Sequence, residues 1–405
     1  MNVRGRRHDP CALAALGMVN ALGTSLDEIW PRLVAGDQSR FRLRDDLVPG
    51  EARWFGGVEE ELPAIPAPLD AYACRANRLA LAAYAGIREA VEASKTRFGA
   101  GRVGVVVGSS TSGIAEAQTA FAQWSRGGTL PGSFHLVQLE LGGVAEFLAR
   151  IAGTEGPRCT LSTACSASAK ALVSARALLE LDVCDAVVAG GVDTLCGLTA
   201  SGFVSLQAVA KGITNPMSRN RSGLTLGEGA ALFLVTREPG GVQLLGAGES
   251  SDAHHMSAPE PHGKGAEACM RAALADADLE PGAIAYLNLH GTGTPLNDAS
   301  ESAAVERVFA RPVPCSSTKS LTGHALGASG AVEAGLCWMM LRRTDGERIV
   351  PPPHRWDGER DPDLPPLALV SEGTWIDAAP PAAIMSNSFG FGGSNCSVIL
   401  GGAST

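Results

Sequence analysis

The sequence has no CxxC pair, no excess of positive charge and no uncharged apolar stretch long enough to span a bilayer. Its ten cysteines, Cys11, Cys74, Cys159, Cys165, Cys184, Cys196, Cys269, Cys315, Cys337 and Cys396, are scattered over 405 residues. A zinc site asks for closer Cys/His clustering, and disulfide scaffolds are normally far shorter chains. A reduced, cytoplasmic setting is the expectation. The formal net charge of −9 argues against non-specific nucleic-acid binding, which needs a basic face. Residues 1–8 are basic but lack an apolar core followed by a small-residue cleavage site, so no signal peptide is expected.

What is present is the composition of an ordinary globular protein, 45% hydrophobic and 19% charged. The length fits two or three domains, or one large duplicated unit. Short β-branched runs ending in small residues predict buried parallel strands at 102–110, 185–191, 230–236 and 283–290. Residues 11–23 read as a first strand, and 314–319, 382–387 and 395–400 as shorter ones. Ala-rich stretches of helical length lie at 77–100, 167–181, 265–277, 298–309 and 326–342. Ser25 caps a further helix over 25–35 that Pro31 is expected to kink. Strands alternating with helices predict an α/β fold of helix-covered parallel sheets. Residues 41–67 read as a surface excursion, and 111–156 as a long insertion carrying dimer or pocket surface. A strand leading through Ser162-Thr-Ala to Cys165 and a helix is echoed by Ser316-Ser-Thr-Lys319 leading through Gly323-His324 to another. The echo hints at duplication, with a boundary near 237–248.

Cys165 precedes an expected helix, whose positive dipole end favours a thiolate. Taken alone, such a thiol reads as a small buried hydrophobe. His290 ends an expected strand and enters Gly-Thr-Gly-Thr-Pro295, where ligands commonly bind in parallel sheets. That loop lacks the Walker lysine spacing and the full dinucleotide pattern. His324 follows Lys319 by five residues; each histidine alone reads equally well as a core residue, and the lysine as a solvated one. The run 386–395 is Gly-rich, permitting close backbone approach, and holds Phe389 and Phe391. Together, a thiol, two strand-end histidines and this loop are the parts of an acyl-transfer site.

TAC at Cys165, HGTGTPLND from His290, STKSLTGHALGASGAVE up to Glu333 and NSFGFGGSN from Asn387 resemble, in order and spacing, the β-ketoacyl-[acyl-carrier-protein] synthases of the Cys-His-His type. The likeness runs over nearly the whole chain. It implies a thiolase-like fold, with duplicated halves stacked as five layers α-β-α-β-α: residues 1–245 with the nucleophile and 246–405 with both histidines. It implies decarboxylative condensation of an acyl group held on Cys165 with malonyl-acyl carrier protein, in fatty acid or related lipid, polyene or polyketide biosynthesis. His290 and His324 would stabilise the enolate, with Lys319 orienting the site and Glu333 holding it. The N–H groups of Cys165 and Phe391 would form the oxyanion hole, Phe391 serving also as a gate. Thr292, Thr294 and Phe389 would contact substrate, and Glu301 and Asn387, with Asn288 and Ser386, would belong to a supporting network. The resemblance further implies no resident cofactor or metal (phosphopantetheine belongs to the carrier protein), a carrier-protein partner, and a homodimer or a heterodimer with a related subunit. One departure stands out: residues 216–223 replace an acidic, Asp-Gly-bearing stretch before Gly227-Glu-Gly-Ala230. The alternative is an inactive chain-length-factor-like subunit, which the full Cys-His-His set disfavours.

Overall fold

The computed structural model describes residues 9–238, 240–344, 348–377 and 382–402; the basic stretch 1–8 lies outside them. Among the described residues eleven strands share one sheet: β1 (Cys11–Asn20), β2 (Val103–Gly108), β3 (Arg158–Leu161), β4 (Ala186–Asp193), β5 (Gly229–Thr236), β6 (Val242–Ser251), β7 (Ile284–Asn288), β8 (Pro314–Ser316), β9 (Ala368–Leu369), β10 (Ala383–Gly390) and β11 (Ser394–Gly402). Their order is β9-β8-β7-β10-β11-β6-β1-β5-β4-β2-β3. The seam between β6 and β1 is only two residue pairs, Cys11 with Leu244 and Ala12 with Gln243. On one side of it β1, β5 and β4 pair antiparallel and β4, β2 and β3 parallel. On the other, β6, β11 and β10 pair antiparallel and β10, β7 and β8 parallel. The same pattern is laid down twice, in the same chain order.

Six helices complete the layers: α1 (Arg75–Ala85), α2 (Gly142–Ala152), α3 (Ala167–Glu180), α4 (Lys264–Ala277), α5 (Pro295–Val308) and α6 (Ser329–Arg342). α1 and α2 cover the outer face of the first strand set, and α4, backed by α5, covers that of the second. α3 and α6 pack on each other between the two sets, giving the α-β-α-β-α stack. A helix in a middle layer must be apolar on all sides. α6 is so apart from Glu333 and Ser329: Ala331, Val332, Leu336, Cys337, Met339 and Met340 are all buried. Strands β2 and β4 are likewise buried along their whole length, as strands covered on both faces must be.

Several expectations are corrected. β6 was unmarked because Gln243, Glu249 and its glycines break the apolar run, yet it is a central strand. The strand expected to lead through Ser162 to Cys165 is β3, only four residues long and half exposed. Residues 41–67 include a small hairpin, Arg42–Arg44 with Arg53–Phe55. Residues 111–156 form helices Ile114–Ser125, Leu136–Leu139 and α2. The helix Leu26–Val34 carries Pro31 internally, with Ser25 capping the Glu28 N–H at 3.3 Å.

The helix expected over 77–100 is two, α1 and Arg88–Phe98, broken at Gly86. There β1 and α1 touch backbone to backbone. A Cβ on Gly17 would lie 1.8 Å from the Ala83 carbonyl oxygen, and one on Gly86 2.7 Å from the Gly17 Cα. Backbone cannot yield as a flexible side chain does, so overpacking is severe. Gly17→Ala is therefore expected to cost about 3 kcal/mol or more of stability, read as a lowered denaturant midpoint. A midpoint equal to the wild type would refute the close approach.

Candidate active site

β3 ends at Leu161, the chain turns through Ser162, Thr163 and Ala164, and α3 begins at Ala167. Ala164 sits at φ +52, a left-handed conformation that costs a non-glycine residue on the order of 1–3 kcal/mol. Ser166 Oγ ties the turn down, donating to the Thr163 carbonyl at 2.8 Å. The turn sets Cys165, buried, at the start of the middle-layer helix. Its sulfur faces two backbone N–H groups, those of Phe391 and of Cys165 itself.

The expectation of a ready thiolate needs correcting. Burial pushes the Cys165 thiol up to about 11, outweighing the Lys319 ammonium and the two N–H groups. At neutral pH the sulfur carries its proton until a base removes it.

That base is at hand. His324 Nε2 lies 3.1 Å from Cys165 Sγ, and its Nδ1 lies 2.7 Å from Ser329 Oγ at the first residue of α6. The His324 N–H donates to the Thr225 carbonyl at 2.7 Å, fixing the ring's entry. His290 comes from the loop after β7. Glu301, on α5, grips that loop with both oxygens, accepting from the His290 and Gly291 N–H groups at 2.7 Å each. Asn387 Nδ2 donates to the same carboxylate at 3.2 Å, and Ser397 Oγ donates to Asn387 Oδ1 at 2.8 Å. Burial chiefly raises Glu301 to about 7. The two imidazole rings stand edge to face, centroids 5.4 Å apart.

Lys319 lies behind both rings, only 1% exposed. Its ammonium pairs with Glu333 of α6 and lies 3.3 Å from His290 Nδ1. An ammonium has donors and no acceptor, so Nδ1 accepts and the His290 proton sits on Nε2, facing the cavity. Burial first, and then the Lys319 charge, hold both histidines well below their usual range, hence neutral. Burial raises Glu333 to about 7, with Lys319 pulling the other way. One donor atom each from Cys165, His290 and His324 lie within 4.8 Å of one another, a set whose chemistry would suit zinc. The ammonium against His290 opposes a dication there, and the arrangement suits proton transfer.

These groups line a cavity of about 230 Å³ together with Thr292, Thr294, Phe389 and Phe391. Phe389 packs on His290 at 6.0 Å between centroids, and Phe391 on Phe203 at 5.4 Å. Thr292 and Thr294 hydroxyls are 2.9 Å apart. Lys319, Glu333, Glu301 and Asn387 sit behind the wall. Asn288 and Ser386 are buried as well and touch each other at 3.5 Å. Ser329 and Phe203 were missed. Only a hydroxyl within a turn or two of a candidate histidine hinted at the first, and nothing local marked the second. The unusual stretch 216–223 is fastened from outside: Asn215, Ser218 and Asn220 each donate to Asp357 at 2.8 Å, and Arg221 pairs with Asp361.

The family described as beta-ketoacyl synthase, N-terminal domain, matches residues 8–239, and its C-terminal domain matches 242–353. The chain belongs to the β-ketoacyl synthase family. It is 27% identical to a 3-oxoacyl-[acyl-carrier-protein] synthase 2 of Synechocystis sp. over 95% of each chain. A structure of the ketosynthase ApeO in complex with its chain length factor ApeC, from Xenorhabdus doucetiae, superposes with TM-score 0.92 at 43% identity, covering 97% of this chain and 98% of that one. The ishigamide ketosynthase/chain length factor gives 0.86 at 26%, covering 98% and 100%. This synthase is a condensing acyltransferase with the thiolase-like fold, and no described helix is long and apolar enough to cross a membrane.

Because the thiol sits near 11, alkylation of Cys165 by iodoacetamide should accelerate steadily from pH 7 towards pH 10, as the thiolate fraction grows. Peptide mapping by mass spectrometry follows it. A rate already flat at pH 7 would mean that the sulfur is ionised there.

Proposed function

We propose that the protein carries out the decarboxylative Claisen condensation of an acyl thioester with malonyl-acyl carrier protein, giving 3-oxoacyl-acyl carrier protein. The reading rests on one observation: a buried thiol 3.1 Å from one neutral imidazole, with a second facing it across a shared cavity. His324 Nε2 takes the thiol proton as Cys165 attacks the carrier-bound acyl thioester. The oxyanion meets the N–H groups of Cys165 and Phe391, aimed donors worth about 3 kcal/mol each. The departing pantetheine sulfur takes the proton from His324. Malonyl thioester then enters and loses CO2, its carboxylate electrons passing into an enolate that His290 and His324 stabilise as donors. The enolate carbon attacks the acyl-cysteine, and the thiolate leaves and is reprotonated.

In this reading Lys319 fixes the His290 tautomer, Glu333 balances Lys319, and Glu301 and Asn387 hold the His290 loop. Thr292, Thr294 and Phe389 contact the pantetheine arm, and Phe391 swings once the cysteine is acylated. Phosphopantetheine arrives on the carrier, so the chemistry asks for no resident cofactor, and the reaction belongs in the cytoplasm. Residues 1–245 and 246–405 are the two halves, supplying the sulfur and the imidazoles respectively. β3 leaves one edge of the sheet open. A second subunit, identical or a related chain-length factor, would pair there.

Cys165→Ala should abolish condensation, and Cys165→Gln should keep releasing CO2 from malonyl-carrier protein, its amide mimicking the acyl-enzyme. His290→Ala should lose decarboxylation by about 100-fold or more while still acylating, since Nδ1 tied to Lys319 leaves that ring no base at the cavity. His324→Ala should lose both steps. Full turnover by Cys165→Ala, measured by product mass spectrometry, would end the proposal.

A further inference from the structure

Lys319 leaves His290 only one role at the cavity, that of donor. His324 has the opposite situation. Its Nδ1 meets the hydroxyl of Ser329 at 2.7 Å, and a hydroxyl both donates and accepts. Ser329 is itself 3% exposed, and the contact to His324 is the side-chain hydrogen bond described for its Oγ. The groups facing the His324 ring are Cys165 from the start of α3, His290 from the loop after β7, and the Lys319 ammonium with its partner Glu333. None of these fixes which nitrogen carries the His324 proton.

We infer that Ser329 is the positioning residue that lets His324 serve in both half-reactions, by turning its hydroxyl. With Nδ1–H donating to Ser329 Oγ, Nε2 is bare and takes the Cys165 proton during acylation. The imidazolium so formed keeps its Nδ1 hydrogen bond, now charge-assisted. The departing pantetheine thiolate takes the Nε2 proton, which restores the neutral ring. For decarboxylation the hydroxyl turns and donates to Nδ1. The ring exchanges its Nδ1 proton for one on Nε2 through water entering between the two substrates, with no net change in protons. Nε2–H then points at the malonyl thioester oxygen. A residue with a fixed role at that place, such as the ammonium facing His290, would allow one half-reaction and forbid the other.

The inference rests on the condensing reading above, and it divides the two half-reactions unequally. Acylation uses a hydrogen bond to a charged ring, worth more than one to a neutral ring. Ser329→Ala should therefore slow Cys165 acylation by acyl-carrier protein roughly 10- to 100-fold. In the Cys165→Gln background the same change should slow CO2 release from malonyl-carrier protein only about threefold. Ser329→Thr, which keeps the hydroxyl, should restore acylation to within about threefold of wild type.

Wild type that fails to acylate or to release CO2 would defeat the condensing reading itself. Wild type that does both, with Ser329→Ala matching it in rate, would overturn the role of Ser329 alone. Equal losses in both half-reactions together with a lowered melting temperature, unrescued by threonine, would reduce Ser329 to packing and overturn it as well.

Discussion

A single buried ammonium organises this site. Lys319 lies 1% exposed between a carboxylate and an imidazole, with the nucleophilic sulfur within reach of its field. An unpaired charge at that depth would be prohibitive, so Glu333 must be there, and α6 must present it. The remaining side of the ammonium then works on the histidines. It occupies His290 Nδ1, adds to the burial that keeps both rings neutral, and leaves their cavity-facing nitrogens as donor or base. Burial does the rest, holding the thiol protonated until a neighbour takes the proton. Burial makes each of these electrostatic effects larger than it would be in water.

The fold supplies the depth. Two copies of one strand pattern lie against each other with α3 and α6 between them. The nucleophile stands at the start of α3, and Ser329 and Glu333 at the start of α6, so the middle layer brings both sets of groups to one plane. Each set comes with its own strain or tether: Ala164 in a left-handed turn before the sulfur, and Glu301 clasping two N–H groups of the His290 loop. Such restraints hold reacting atoms to a fraction of an ångström, which proximity catalysis requires.

Much of this was legible beforehand, for identifiable reasons. Long buried strands such as β2 and β4 announce themselves because both faces are apolar, and the Ala-rich helices because their period is regular. β6 stayed hidden because it alternates and carries glycines, and β3, a short edge, was legible only through the turn that follows it. Gly86 was read through because the reason for the break, the backbone of β1, lies some seventy positions earlier in the chain.

The sequence by itself determined the chemistry's inventory: a thiol before a helix, two histidines after strands, a lysine and a Gly-rich loop, in an order that resembles one enzyme family. Those features are local, set by neighbours within a turn or two. Only the tertiary structure decided how the parts behave. The protonation of Cys165, the tautomer of His290 and the pairing of His324 with Ser329 all depend on burial and on groups brought together across the two strand sets. Desolvation and hydrogen-bond partnership are properties of packed space, and no stretch of chain carries them alone.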